Sequence, residues 1–176
     1  KATRKGMPDE LAAQLPVMKE TLDAMGVVRC ELAGYEADDL IGTISRKADE
    51  NGDTCVVVTG DRDSLQLIGG GTTVLLVSTK MGQTTYETYD TEKFRERYGF
   101  DPIRLIDLKA LMGDASDNIP GVPGIGEKTA MQLLHDFGSL EGVYANLEDE
   151  KIKKGARAKL EAGAQSAKDS YWLATI

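Results

Sequence analysis

The N-terminal quarter of the chain carries an apolar stripe at helical spacing, followed by short runs of β-branched residues. Met7-Pro8-Asp9-Glu10 has the form of a helix start, and Gly26 ends the stripe. The stripe predicts one core-facing helix, and it consists of Leu11, Leu15, Met18, Leu22 and Met25. The pattern then predicts a strand, a second helix and another strand, over residues 27–32, 36–51 and 54–59.

The middle of the chain has the pattern of an α/β lobe. Residues 54–59 form a continuous apolar run of the kind found in a covered parallel sheet. A short helix is predicted over 63–68, and two hairpin strands over 73–78 and 84–88 turn through Lys80-Met81-Gly82. The alternation of strands and helices predicts an α/β fold for residues 1–89.

From Asp90 onward the pattern changes to helices joined by short loops. The predicted helices span residues 90–98, 102–112, 127–137, 140–146, 152–162 and 166–174. We therefore expect an all-helical part over residues 90–176.

Composition narrows the class of protein. With 176 residues and 41% hydrophobic content, the chain suits one compact domain or two small lobes, and no apolar run approaches a membrane span. It opens at Lys1 with neither an initiator Met nor a visible signal peptide, so we expect it to start within a longer protein. The net charge of −8 argues against a general DNA-coating surface.

The sulfur and imidazole groups offer little chemistry. Cys30 and Cys55 each lie in a predicted strand, and we expect small buried side chains rather than a disulfide, which fits a cytosolic origin. His135 is the only histidine, which nearly excludes a histidine-based metal site or catalytic triad.

Acidic residues are concentrated in three short clusters at the ends of predicted elements, where α/β sheets place ligand sites. Glu36 and Asp39 are three residues apart, which places them on one face of a helix. Asp61 and Asp63 are two residues apart, so their side chains would point the same way if the backbone there is extended. The clusters contain Glu36, Asp38 and Asp39; Asp61 and Asp63; and Asp114 and Asp117.

Taken singly, each cluster is more simply a set of helix caps or dipole partners. Taken together, seven converging carboxylates would repel one another and need cations. An all-oxygen set without Cys or His favours Mg²⁺ or Mn²⁺, and two such ions about 4 Å apart can clamp a phosphodiester during hydrolysis. Such cations would also let an acidic pocket accept DNA phosphate.

A glycine-rich segment, residues 121–130, supplies the second signal. Gly124 and Gly126 are expected to allow a tight turn and close approach of a ligand, and the helix that follows directs backbone N–H groups and Lys128 at a phosphate. A nucleotide-binding P-loop is disfavoured because Glu127 separates Gly126 from Lys128, while a plain loop between helices stays open as an alternative. A helix–hairpin–helix over residues 113–136 is the favoured interpretation.

These residues resemble consecutive motifs of the 5′-nuclease domain of bacterial DNA polymerase I, within the flap endonuclease superfamily. The matching segments are Gly34-Tyr35-Glu36-Ala37-Asp38-Asp39, Thr59-Gly60-Asp61-Arg62-Asp63, and the run from Leu111 to Ala130. The resemblance implies a PIN-like α/β nuclease core followed by a helix–three-turn–helix DNA-binding part.

The resemblance also implies particular roles. Glu36, Asp38, Asp39 and Asp61 would serve mainly one metal ion, and a second ion would be held mainly by Asp63, Asp114 and Asp117. Lys1 and Arg4, otherwise a solvated basic end, would contact the scissile phosphate. DNA contacts would come from Gly121, Gly124, Ile125, Gly126, Lys128 and Thr129. A K⁺ ion would bind backbone carbonyls near Val122 and Ile125.

Family members remove 5′ flaps and RNA primers, so the implied partners are DNA with a 5′ flap, nick or duplex end, and RNA–DNA primer junctions. The resemblance also implies a covalently linked polymerase domain after Ile176. It further implies a location in the bacterial cytoplasm, at the nucleoid. The family's first strand, with an Asp ligand, would precede Lys1, and a second upstream Asp is also expected outside the chain. A catalytically silent DNA-binding fragment is therefore the main alternative. A haloacid-dehalogenase-type phosphatase is a remote one, since no suitably placed Lys is expected before the later acids.

Overall fold

The computed structural model describes residues 6–176, which divide into two compact units, one reaching Leu40 and the other running from Ile41 to Ile176. The helices are α1 (Asp9–Ala12), α2 (Gln14–Ala24), α3 (Ala37–Glu50), α4 (Thr91–Tyr98), α5 (Leu105–Met112), α6 (Glu127–Phe137), α7 (Leu140–Ala145), α8 (Lys154–Ala162) and α9 (Ala164–Ala174). The strands are β1 (Cys55–Thr59), β2 (Thr72–Lys80) and β3 (Gln83–Tyr89), and two 3₁₀ helices span Arg62–Leu67 and Pro102–Arg104.

The first unit departs from the sequence prediction in its helix. The predicted single helix is interrupted at Ala13, which separates α1 from α2. Pro16 explains the position of the break, because a proline ring clashes with the carbonyl four residues earlier, here that of Ala12. Neither α1 nor α2 buries a residue, so the prediction that their apolar stripe forms core is wrong within this unit. An amphipathic stripe is buried only where a second layer packs on it.

The strand predicted over residues 27–32 is also absent from the structure. Arg29 instead forms ion pairs with Asp23 and Glu31, at 2.7 Å in each case, and Cys30 is exposed rather than buried. A β-branched run becomes a strand only beside a partner strand, and the described residues of this unit contain none.

The second unit contains a three-stranded sheet in the order β1–β2–β3. β1 runs parallel to β2, and β2 runs antiparallel to β3 through a two-residue turn at Met81 and Gly82, whose φ angles are 50° and 78°. Positive φ at both positions matches the twist of a hairpin, so the predicted turn is confirmed. In β1, Val57 is buried while Val56 and Val58 are more than half exposed, so only one face is covered within the described chain.

The sheet and the helices that follow share one apolar core. α5 lies at its centre and packs against α6, α7 and α9, and every residue from Leu105 to Leu111 is buried. Two of these are charged, Asp107 and Lys109. A carboxylate oxygen of Asp107 accepts the backbone N–H of Leu140 at 2.8 Å, which satisfies a donor at the start of α7.

All the helices predicted after residue 90 are present, with ends shifted by a few residues. The helix predicted over 102–112 begins as a 3₁₀ turn, and the one predicted from residue 152 begins at Lys154. Cys55 is half-buried in β1, and both cysteines are free thiols. Among the described residues, no helix has the length and apolarity needed to cross a bilayer.

Candidate functional site

Asp61 and Asp63 lie where β1 ends and the 3₁₀ helix begins. A carboxylate oxygen of Asp61 accepts the backbone N–H of Asp63 at 3.0 Å and so caps that helix. The prediction that both side chains point the same way along extended backbone is wrong, because the chain turns into the 3₁₀ helix at Arg62. The turn leaves Asp61 exposed and Asp63 half-buried.

Asp114 and Asp117 lie on a closed loop after α5. The backbones of Asp114 and Ile119 form two hydrogen bonds with each other, at 2.8 and 2.9 Å, so the segment between these two residues is a compact turn. Asn118 adopts a φ of 58°, a left-handed conformation that Asn tolerates better than most residues. Ser116 donates both its backbone N–H and its hydroxyl to one oxygen of Asp114, at 2.8 and 2.5 Å.

Three of the seven predicted carboxylates meet in the second unit. Asp63, Asp114 and Asp117 each place one carboxylate oxygen within 4.8 Å of the others, and all three are half-buried. This spacing suits a single hard cation coordinated by oxygen. The 3₁₀ helix Arg62–Leu67 packs against α5, and this packing brings together acids that are about fifty residues apart in the sequence.

Lys109 also belongs to this cluster, and sequence reasoning missed it. Its ammonium forms ion pairs with Asp63 and, at 2.7 Å, with Asp114, and its side chain is only 8% exposed. The expectation that no suitably placed Lys precedes the later acids is therefore wrong. The available signal was a lone lysine within the apolar run of α5, where a charge must be paired to be buried.

The pKa values of Asp63, Asp114 and Lys109 are shifted from their ordinary values. Burial raises the pKa of Asp63, and the charges of Asp61 and Asp114 act in the same direction, while Lys109 opposes them. For Asp114, burial alone would raise the pKa, but hydrogen bonds from Lys109 and Ser116 outweigh it and lower the pKa to about 2. For Lys109, burial would lower the pKa, but its bonds to the two carboxylates outweigh burial and raise it.

The first predicted acidic cluster and the predicted basic pair belong to the N-terminal part of the chain. Glu36, Asp38 and Asp39 belong to the first unit, at the start of α3. An oxygen of Asp39 accepts the backbone N–H of Glu36 at 2.8 Å, which is the helix-capping role that was the simpler alternative for this cluster. Lys1 and Arg4 lie outside the described residues.

The glycine-rich hairpin is anchored at Gly121. Its φ is 61°, and a β-carbon there would lie 2.2 Å from the backbone nitrogen of Gly113. Two serines of α9 hold its peptide groups: Ser170 accepts the N–H of Gly121 at 2.9 Å, and Ser166 donates to its carbonyl at 2.6 Å. The hairpin therefore has a fixed position on α5 and α9.

The tip of the hairpin alternates anchored and accessible residues. Of the residues expected to contact DNA, four are exposed: Gly124, Gly126, Lys128 and Thr129. The other two, Gly121 and Ile125, are buried, as is Val122. Gly124 has a φ of 82°, as a tight turn requires, but Gly126 has a φ of −96°, which any residue adopts. The expectation that Gly126 serves the turn is wrong; it is the residue preceding α6, which lacks a side-chain cap.

The second unit thus combines an α/β sheet, a half-buried acidic cluster and an adjoining helical hairpin. The chain belongs to the 5′-3′ exonuclease family. Residues 1–99 match the model described as "5'-3' exonuclease, N-terminal resolvase-like domain", and residues 100–176 match "5'-3' exonuclease, C-terminal SAM fold".

Curated relatives extend along the whole chain. It is 48% identical to DNA polymerase I of Caldicellulosiruptor bescii and 46% identical to DNA polymerase I of Bacillus subtilis, over 176 residues and 100% of the chain in both cases. The chain spans 20% of the length of each of these relatives.

Solved structures agree in fold. A bacteriophage T5 5′-exonuclease with bound divalent zinc ions superposes with a TM-score of 0.77 at 24% identity, covering 98% of this chain and 63% of that one. A T5 flap endonuclease in a pseudo-enzyme–product complex with DNA and metal ions gives 0.76 at 24% identity, covering 98% and 62%. The predicted PIN-like α/β core followed by a helical part is thereby confirmed.

Proposed function

We propose that this chain is the 5′-nuclease part of a DNA polymerase I and hydrolyses phosphodiester bonds near 5′ flaps, nicks and RNA–DNA primer junctions. The observation that carries the proposal is the meeting of Asp63, Asp114 and Asp117 within 4.8 Å beside the anchored hairpin. The similar T5 structures, which contain divalent metal ions and, in one case, DNA, support it.

The residues of the cluster fit a divalent cation. Their donors are all carboxylate oxygens, the ligands that Mg²⁺ and Mn²⁺ prefer. Asp63, Asp114 and Asp117 would hold one ion, and we assign Glu36, Asp38, Asp39 and Asp61 to the other. Bound ions would supply a more acidic water and charge stabilisation at the phosphate.

The protein's own groups prepare this site. Ser116 fixes one oxygen of Asp114 through two hydrogen bonds, and Lys109 contacts the other, so the carboxylate is oriented before any ligand arrives. Lys109 also neutralises part of the acidic charge, which otherwise would oppose the approach of a DNA phosphate. Lys1 and Arg4 are proposed to contact the scissile phosphate.

The hairpin is proposed to hold the DNA duplex without reading its bases. Gly124, Gly126, Lys128 and Thr129 would contact the phosphate backbone, chiefly through N–H groups at the start of α6 and the ammonium of Lys128. Gly121 and Ile125, whose N–H groups are bonded to Ser170 and Val122, would hold the turn in position for these contacts. A K⁺ ion at carbonyls near Val122 and Ile125 would add a bridge to phosphate; the Val122 carbonyl already accepts the N–H of Ile125 at 3.0 Å and keeps a second lone pair.

Several broader features belong to the same proposal. The nuclease core would occupy residues 1–89 and the DNA-binding part residues 90–176. A covalently linked polymerase domain is supported by the small share of the relatives that the chain spans. Identity to bacterial DNA polymerases I supports a cytoplasmic location, at the nucleoid.

A flap-cleavage assay tests the chemistry. We expect Asp117→Asn to lower the rate of Mg²⁺-dependent cleavage of a labelled 5′-flap DNA by about 100-fold or more, because a ligand oxygen and a negative charge are lost from the cluster. DNA binding should stay within a few-fold. Asp169→Asn, an exposed acid on α9, is the matched control and should cleave like the parent.

The same assay separates the alternatives. EDTA should abolish cleavage by the parent. A parent chain that binds the flap but cuts at no measurable rate would be the catalytically silent fragment, and restoring a family-like N-terminal segment would then show whether activity returns. Normal cutting by Asp117→Asn would contradict the assignment of this residue.

A further inference from the structure

Lys159 contacts the hairpin from a different helix. It lies near the end of α8, and its ammonium donates a hydrogen bond to the carbonyl of Gly124 at 3.0 Å. The two residues are 35 positions apart, and neither the acidic clusters nor the glycine-rich motif includes Lys159.

The contact is held by close packing rather than by the lysine alone. A β-carbon at Gly124 would lie 3.0 Å from both Cε and Nζ of Lys159, so the lysine stem runs directly along the hairpin backbone. At the end of the same helix, a β-carbon at Gly163 would lie 2.8 Å from a methyl group of Val122. The end of α8 and the hairpin are thus fixed against each other, and the ammonium has a defined position.

The position of the ammonium is open to a ligand. Gly124 and Lys159 are both exposed, whereas Val122 and Ile125 on either side of the turn are buried. An ammonium has three N–H donors, and the carbonyl of Gly124 takes one. Within residues 6–176, no ion pair between Lys159 and a carboxylate is found, unlike Lys93, Lys109 and Lys151.

We propose that Lys159 is a second cation of the hairpin site and binds a phosphate of the DNA backbone together with Lys128. The inference rests on the proposed function, because it requires that the hairpin hold DNA. α8 and α6 would each contribute one lysine to the same stretch of backbone. The site selects a duplex phosphate by charge and position and reads no base.

Salt dependence of binding tests this role, because each phosphate contact adds about 0.9 to the slope of log K against log salt concentration. The probe is a fluorescent 5′-flap duplex, titrated with the 176-residue chain in EDTA over a range of KCl concentrations. We expect Lys159→Met to reduce the slope by about 0.9 and to weaken binding about fivefold at low salt. Lys159→Arg should restore both quantities.

Two further variants separate the inference from the function on which it rests. Lys128→Met should also reduce the slope by about 0.9, and the double variant with Lys159→Met by about 1.8. Lys80→Met, an exposed lysine at the end of β2, controls for the change in net charge and should leave the slope unaltered.

The outcomes are distinct. A normal slope for Lys159→Met beside a reduced slope for Lys128→Met would overturn the inference alone, even if affinity fell, since the lysine would then only support the fold. A parent chain without salt-dependent DNA binding would overturn the hairpin function together with it.

Discussion

Lys109 decides how three acids can lie together in the second unit. Its ammonium is almost fully buried and contacts Asp63 and Asp114, so the local charge is partly balanced within the protein itself. Such an arrangement is costly to disrupt, because removal of one partner leaves an uncompensated buried charge. The residue thus links the stability of the second unit to the chemistry proposed for its site.

We expect Lys109→Met to lower the free energy of unfolding in EDTA by about 3 kcal/mol. Urea denaturation followed by circular dichroism measures it. Lys93→Met removes a partly exposed lysine that is ion-paired with Glu87 at 3.1 Å and should cost less than about 1 kcal/mol. Equal losses in the two variants would show that burial of Lys109 carries no special weight.

Asp114 makes stability depend on pH in the acid range. Its pKa in the folded protein is about 2, below the ordinary value of 3.8, so its ionised form contributes stability that is present above pH 3.8 and is lost as pH falls toward 2. The contribution is about 2 kcal/mol.

In EDTA, the free energy of unfolding of the parent should therefore fall more steeply between about pH 4 and pH 2 than that of Asp114→Asn. Asp63, whose raised pKa acts in the opposite direction, is present in both proteins, and Asp114→Asn removes only the part of that rise that the Asp114 charge causes. Parallel curves for the two proteins would refute the role assigned to Asp114.

At the scale of elements, the sequence pattern was reliable where neighbours along the chain decide the structure. The hairpin turn at Met81 and Gly82 and the start of α6 after Gly126 follow from local rules of turns and helix ends. The strand predicted over residues 27–32 is wrong because a strand needs a partner from elsewhere. The stripe of the first helix likewise finds no second layer within its own unit.

The contact between the hairpin and the end of α5 depends on Gly121. A β-carbon would overlap the backbone around Gly113, and a φ of 61° strains any side chain. We expect Gly121→Ala to lower the free energy of unfolding by about 2 kcal/mol or more, measured by thermal or urea denaturation.

Gly155→Ala in α8 is the matched control. Nothing lies within 4 Å of a β-carbon there, and alanine is the better helix former, so a small gain of up to about 1 kcal/mol is expected. A loss of the same size in both variants would indicate that the close approach at Gly121 is not what selects glycine.

At the scale of the whole second unit, the end of the chain is tied to the 3₁₀ helix that carries Asp63. The amide of Gln66 donates to the carbonyl of Ala174 and accepts the N–H of Ile176, each at 3.0 Å. Gln66 is buried, so its bond to Ala174 is shielded from water, and the bond from Ile176 is partly shielded. This pair of bonds spans more than a hundred residues of sequence.

We expect Gln66→Ala to lower the free energy of unfolding by about 2 kcal/mol, because buried backbone groups at the end of α9 lose their partners. Gln132→Ala, which removes an exposed amide bonded to Asp136, should change it by less than about 0.5 kcal/mol. Hydrogen exchange at Ile176 gives an independent measurement, and unchanged protection in Gln66→Ala would contradict the proposed link.

The sequence by itself determined the α/β pattern followed by helices, the acidic clusters, the hairpin motif and the family, since each depends on residue type and spacing along the chain. Only the tertiary structure decided that Lys109 joins Asp63 and Asp114, that two serines of α9 hold Gly121, and that Lys159 reaches Gly124. These contacts join residues from distant elements. The distances between these residues depend on how the helices and strands pack in the core. The spacing of side chains along one helix or strand does not predict that packing.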